Sequence, residues 1–158
     1  MPNAEARSED GDPEASLRMF LDRFEPDIRD GASEAINKLR DITPGADVMI
    51  YDNYQALVLG VSPSDRPSDA IMSIVVYPRR YLLYFLQGAE LADPDGLLEG
   101  RGKVGRSITL SSPDRMDDPQ VAALIQRALA EAKVTIPPGR NGRVEVRYVS
   151  PKRRPRRL

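Results

Sequence analysis

The spacing of apolar positions changes period twice along the chain. Leu17, Phe20, Leu21 and Phe24 recur at helical steps, which predicts an amphipathic helix. Asp12 followed by Pro13 supplies its start, because aspartate caps free N–H groups and proline suits the first helical position. Ile28, Ala32, Ala35, Ile36, Leu39 and Ile42 predict a second helix from about Pro26 to the break at Pro44-Gly45. Gly31 costs it about 1 kcal/mol relative to alanine and blurs its start. From Asp47 the texture turns to strand. The runs "VMIY" and "YQALVLGV" flank Asp52-Asn53, a tight hairpin turn, and "AIMSIVVY" and "YLLYFLQ" flank a turn at residues 78–80. These runs are β-branched, aromatic and only partly alternating, as in central strands with both faces largely covered. Residues 107–110 add a short strand. Asp118-Pro119 repeats the capping signal ahead of a clean stripe, Val121, Leu124, Ile125, Ala128, Leu129 and Ala132. After Pro137-Pro138-Gly139, "RVEVRYVS" alternates as a last strand.

Strands that follow one another through short turns are antiparallel. The order helix, helix, four or five strands, helix, strand therefore predicts an α+β two-layer sandwich: a mostly antiparallel sheet of five or six strands with helices on one face. The expected organisation is an acidic, disordered lead over residues 1–11, one domain over 12–150 and a solvated basic tail over 151–158.

Composition narrows the chemistry. The chain has 158 residues with no cysteine and no histidine. That removes disulfides, thiolate catalysis, thiolate metal sites and the usual general base near neutral pH. Any metal would sit among oxygen ligands. No apolar run approaches the roughly 18 residues of a membrane span, and the amino-terminal stretch lacks a secretory pattern, so a cytoplasmic location without membrane contact is expected. The net charge of −1 conceals opposite ends. Residues 1–15 hold five acids against one base, and residues 152–158 hold five bases and no acid.

The stretch "YLLYFLQGAELADPDGLLEGRGKVGRSITL", with the strand before it, the downstream amphipathic helix and the closing "VSPKRRPRR", resembles the YdhG-like family of small bacterial domains. The similarity runs over roughly residues 17–157 and is most specific at 81–110. It implies a compact, frataxin-like α+β fold, an iron-chaperone label carried by part of the family, and no agreed enzymatic activity. Relatives often carry histidine after the third strand; this chain has Arg79, Arg80 and Tyr81 there.

Three groups of residues are candidate sites. Gly100, Gly102 and Gly105 satisfy G-x-G-x-x-G, and Gly100, Gly105, Arg106 and Ser107 nearly satisfy a phosphate loop. Both motifs need a strand before and a helix after, and here a turn precedes and a strand follows. The glycines then serve a tight connection by permitting positive φ. The bases Arg101, Lys103 and Arg106 leave two readings open: a small anion site, or Arg106 pinning the loop by pairing with Asp93 or Asp95, which needs no ligand and is favoured. On the second helix Asp27, Asp30 and Glu34 are candidates for iron, the one metal cofactor the resemblance suggests. Interleaved Arg29, Lys38 and Arg40, with Glu34–Lys38 at pairing distance along the helix, favour a solvated face instead. The tail bases Lys152, Arg153, Arg154, Arg156 and Arg157 suit an acidic protein partner or weak nonspecific nucleic acid.

With no activated nucleophile and no defined carboxylate pair, the expectation is a binding or carrier module rather than an enzyme. Its alternatives are an iron chaperone using the helical acids and a binder of phosphate-bearing small molecules at the 100–106 loop.

Overall fold

The computed structural model describes residues 11–157; the acidic lead through residue 10 lies outside them. Among the described residues two helices come first, α1 (Pro13–Asp22) and α2 (Pro26–Ile42). Then follow β1 (Asp47–Asp52), β2 (Leu57–Ser62), β3 (Met72–Tyr77), β4 (Arg80–Phe85), β5 (Arg106–Leu110), α3 (Pro119–Glu131) and β6 (Val144–Val149). The strands form one six-stranded sheet in the order β5-β4-β3-β2-β1-β6. β1 to β5 make an antiparallel meander. The α3 connection then crosses the whole sheet and lays β6 parallel to β1 at the far edge. The fold is an α+β two-layer sandwich, as the sequence predicts. Among the described residues no helix is long and apolar enough to cross a membrane.

Local chemistry sets the helix ends. The Asp12 carboxylate accepts the Glu14 N–H at 3.0 Å, capping α1. Asp118 precedes Pro119 but does not cap α3 with its side chain; its carboxylate pairs with Arg115 instead. Gly31 in α2 has a packing reason: a Cβ there would collide with the Tyr81 hydroxyl of β4. The helix accepts its propensity cost so that α2 can lie close against the sheet.

The core fills the space between layers. Leu17 and Phe20 of α1, Phe24 of the connection to α2, Ala35, Ile36 and Leu39 of α2, and Val121, Leu124 and Ile125 of α3 meet Ile50, Leu59, Ile74, Leu83 and Ile108 from the strands. β1 to β4 are buried nearly throughout, yet among the described residues no helix covers the second sheet face. It carries a separate small cluster of Ala56, Val75 and Leu82, edged by Val58, Tyr77 and Tyr84. Small residues in register, Gly60 opposite Ser73, let neighbouring side chains shield that face.

Two expectations fail at the β1 end of the sheet. The β1–β2 connection is a four-residue loop, 53–56, closed by the Asn53 N–H to the Ala56 carbonyl at 3.0 Å, because Asp52 stays in the strand. The chain after β6 is not a solvated tail: Arg156 is 4% exposed.

Candidate functional site

The 100–106 loop holds itself. Only Gly100 of its three glycines takes positive φ, at 126°. A Cβ at Gly105 would strike the Tyr84 hydroxyl, while Gly102 faces open space. Arg106 does not pair with Asp93 or Asp95. Its guanidinium donates to the Gly102 and Gly105 carbonyls at 2.5 and 2.6 Å. Asp93 is occupied elsewhere, accepting the Leu97 and Leu98 N–H groups at 2.9 Å each and so shaping the turn before the loop. A phosphate cradle needs N–H groups around a vacant centre; here a guanidinium faces carbonyls. Arg101 and Lys103 lie exposed beside it.

The helical acids do not converge. Asp30 accepts from Arg29 Nε at 2.9 Å, and Lys38 reaches Asp117 at 2.7 Å rather than Glu34. Among the described residues no group of three or more carboxylate, histidine or cysteine side chains is placed to hold a metal ion. Asp27 and Glu34 instead border Tyr81, whose hydroxyl is pushed up by burial first and then by the Glu34, Asp27 and Asp114 charges.

The basic residues after β6 form a docked arm. Asp52, 1% exposed, accepts Arg153 Nε at 2.5 Å, Arg23 at 3.2 Å and Arg156 at 3.0 Å. Backbone bonds zip the arm to the β1–β2 connection: Ser150 N–H to the Asp52 carbonyl at 2.8 Å and Arg154 N–H to the Tyr54 carbonyl at 2.9 Å. Arg156 also donates to the Asn53 and Tyr54 carbonyls and stacks over Phe24, 5.4 Å from the ring centre. Arg157 donates to the Asp22 and Arg23 carbonyls at the end of α1, where cations suit the helix dipole. A sequence signal for this existed. Val48, Ile50 and Asp52 share one parity of β1, so the strand's period carries an acid toward the core, and a buried acid demands cations.

At the other end of β1 Asp47 plays a similar part. One of its oxygens accepts Arg140 and the Arg143 N–H, both at 2.8 Å, tying the approach to β6 onto the start of β1. Burial pushes the Asp47 carboxyl up; the Arg140 and Arg143 hydrogen bonds and charges outweigh it and hold the group below the usual carboxylate range.

A further concavity lies away from every candidate site residue read from the sequence. A cavity of about 130 Å³ opens where residues 68–71 enter β3, residues 85–91 leave β4, and residues 128–134 leave α3. Ile71, Phe85 and Ala128 form an apolar floor; Asp69, Glu90, Glu131 and Lys133 stand at the rim. Ser64 holds the Asp69 carboxylate at 2.7 Å, and Arg127 anchors the Ala92 carbonyl at 2.9 Å, steadying the wall. A second cleft, beside Asn37, Asp41 and Gly142, is polar and more open, and Arg40 on its edge is already held by Glu14 through two hydrogen bonds. An apolar floor with a few polar groups at the mouth is the usual form of a small-molecule site. Fold and cavity together define a two-layer α+β protein with a preformed pocket at one end of its helical layer. Comparison of the chain with protein-family models, curated proteins and solved structures finds no match in any of the three.

Proposed function

We propose that this chain is a YdhG-like binding module, not an enzyme, and that it takes a small ligand in the cavity beside the end of α3. The observation that supports this reading is the cavity's construction: an apolar floor and a polar rim on three separate segments, each fixed by the fold. The buried acids Asp47 and Asp52 are, by contrast, engaged by arginines and backbone. A space of about 130 Å³ suits a compound of a few non-hydrogen atoms. Three carboxylates against one lysine at the rim favour a ligand with an apolar body and a cationic or hydrogen-donating head. The missing cysteines accord with a reducing, cytoplasmic setting. The iron reading on Asp27, Asp30 and Glu34 and the phosphate reading on Arg101, Lys103 and Arg106 have no geometric observation in their favour.

The test is a fragment screen by amide chemical shifts, using small aliphatic and aromatic amines beside neutral isosteres. Shifts should cluster at Ile71, Leu91, Ala128 and Ala132 and be larger for the amines. Ala132, extended and half-buried at the helix end, can be enlarged without touching the helix, so Ala132→Leu should fill the cavity and abolish the response. A screen that moves none of these amides removes the reading.

A further inference from the structure

The arm gathers more positive charge than it neutralises. Three guanidinium groups, from Arg23, Arg153 and Arg156, share the single carboxylate of Asp52. The Nε of Arg156 is buried with no acceptor among the described residues. Burial, and then the Arg153 and Arg156 charges, push the Arg23 guanidinium below its usual value against the pull of Asp52. Just outside this cluster Lys152, Arg154 and Arg157 are exposed, and the backbone bonds of Ser150 and Arg154 hold their segment in place. The same bonds set Arg154, whose guanidinium donates to the exposed Gln55 at 3.4 Å, beside Tyr54, a residue 50% exposed although its carbonyl is bonded to the arm. At the root of the arm Tyr148 is a second partly exposed tyrosine, at 40%. Fixed cations beside partly exposed tyrosines meet both needs of single-stranded nucleic acid: phosphate neutralisation and a surface for base stacking. An acidic peptide would use the cations and leave the rings without a role. A membrane surface would call for an amphipathic helix with a buried apolar face, and the arm is not helical.

The geometry points to the arm and the β1–β2 loop as a single-stranded nucleic-acid docking surface, with Lys152 and Arg154 on phosphates and Tyr54 under a base. The reading is independent of the cavity.

Fluorescence anisotropy of labelled oligothymidine and oligouridine of about 12 nucleotides, within the span such platforms cover, tests it with the full chain. Wild type should bind at low salt, with affinity falling linearly against salt on logarithmic axes. Tyr54→Ala should weaken binding about tenfold at fixed salt while Tyr54→Phe keeps it, the pattern of stacking. Lys152→Gln with Arg154→Gln should lower the salt slope by about 1.4, at about 0.7 for each phosphate of a single strand that is no longer neutralised. All three variants leave the Asp52 contacts in place, so thermal melts should match wild type and separate binding from folding. Inorganic polyphosphate of similar length should compete weakly. No binding at low salt overturns the proposal. So does binding indifferent to Tyr54→Ala, or polyphosphate competing as well as the oligonucleotide, since either reduces the surface to bare charge.

Discussion

The 100–106 loop and the arm after β6 are both basic, both irregular and both built around arginine, yet they differ in what the arginines hold. Arg106 folds back on two carbonyls of its own loop at the surface. Arg156, almost wholly buried, joins residues 104 positions apart in the chain. The loop carries the more suggestive motif and the lesser structural burden. Glycine spacing records only that a turn is tight, and tight turns are common. A lone acid on the core-facing parity of a strand states a requirement that some cation must meet, which is the stronger signal.

Removing residues 151–158 should have the largest effect. Asp52 would lose Arg153 and Arg156 and keep Arg23 as a cation, and breaking a buried ion cluster costs about 3–5 kcal/mol. Urea unfolding followed by circular dichroism should show the midpoint fall sharply; an unchanged midpoint would return the arm to the status of a loose tail. Gly105→Ala should come next, at about 1–3 kcal/mol, because the added methyl group forces Tyr84 aside. Gly102→Ala, facing open space, is its control and should be nearly silent.

A third measurement uses pH to sharpen the comparison with a second buried acid. The folded-state value of Asp47 lies below its unfolded value, so its contribution is fully present above about pH 4 and is lost as pH falls through the lower folded value. Wild type should therefore exceed Asp47→Asn in stability at neutral pH, and the gap should narrow progressively below about pH 4. A gap that is constant with pH would mean that the carboxylate charge contributes nothing. The smallest effect belongs to Arg106→Met. Loss of two partly exposed hydrogen bonds should cost under about 1 kcal/mol, and added nucleotides should not shift the melt of either protein.

Much of the layer architecture was legible because it rests on local signals. Asp12-Pro13, the stripe from Val121 to Ala128 and the turn before Arg80 each announce themselves within a few residues, and the short connections β1–β2 and β3–β4 impose antiparallel pairs. Gly31 misleads as a weak helix residue until Tyr81 is seen packed against it, a contact across fifty positions. The same limit hides the cavity, whose walls come from residues 68–71, 85–91 and 128–134. It also hides the arm, since a run of arginines looks solvated unless the acid it answers is identified on a strand about a hundred residues earlier. The Arg106 pairing failed for a subtler reason. Asp93 was near enough in sequence, but the backbone N–H groups of Leu97 and Leu98 were nearer still.

The span between Asp52 and Arg153, 101 positions, also bears on how fast the molecule comes and goes. A contact that closes so long a loop forms after the meander and the first two helices have already reduced the search. Interactions made late, after the rate-limiting barrier, leave the speed of folding nearly untouched and act on the escape route instead. Stopped-flow traces of the chain without residues 151–158 are accordingly expected to keep the wild-type refolding arm and to lift the unfolding arm. The arm then works as a clasp that sets the lifetime of the folded protein more than the ease of reaching it.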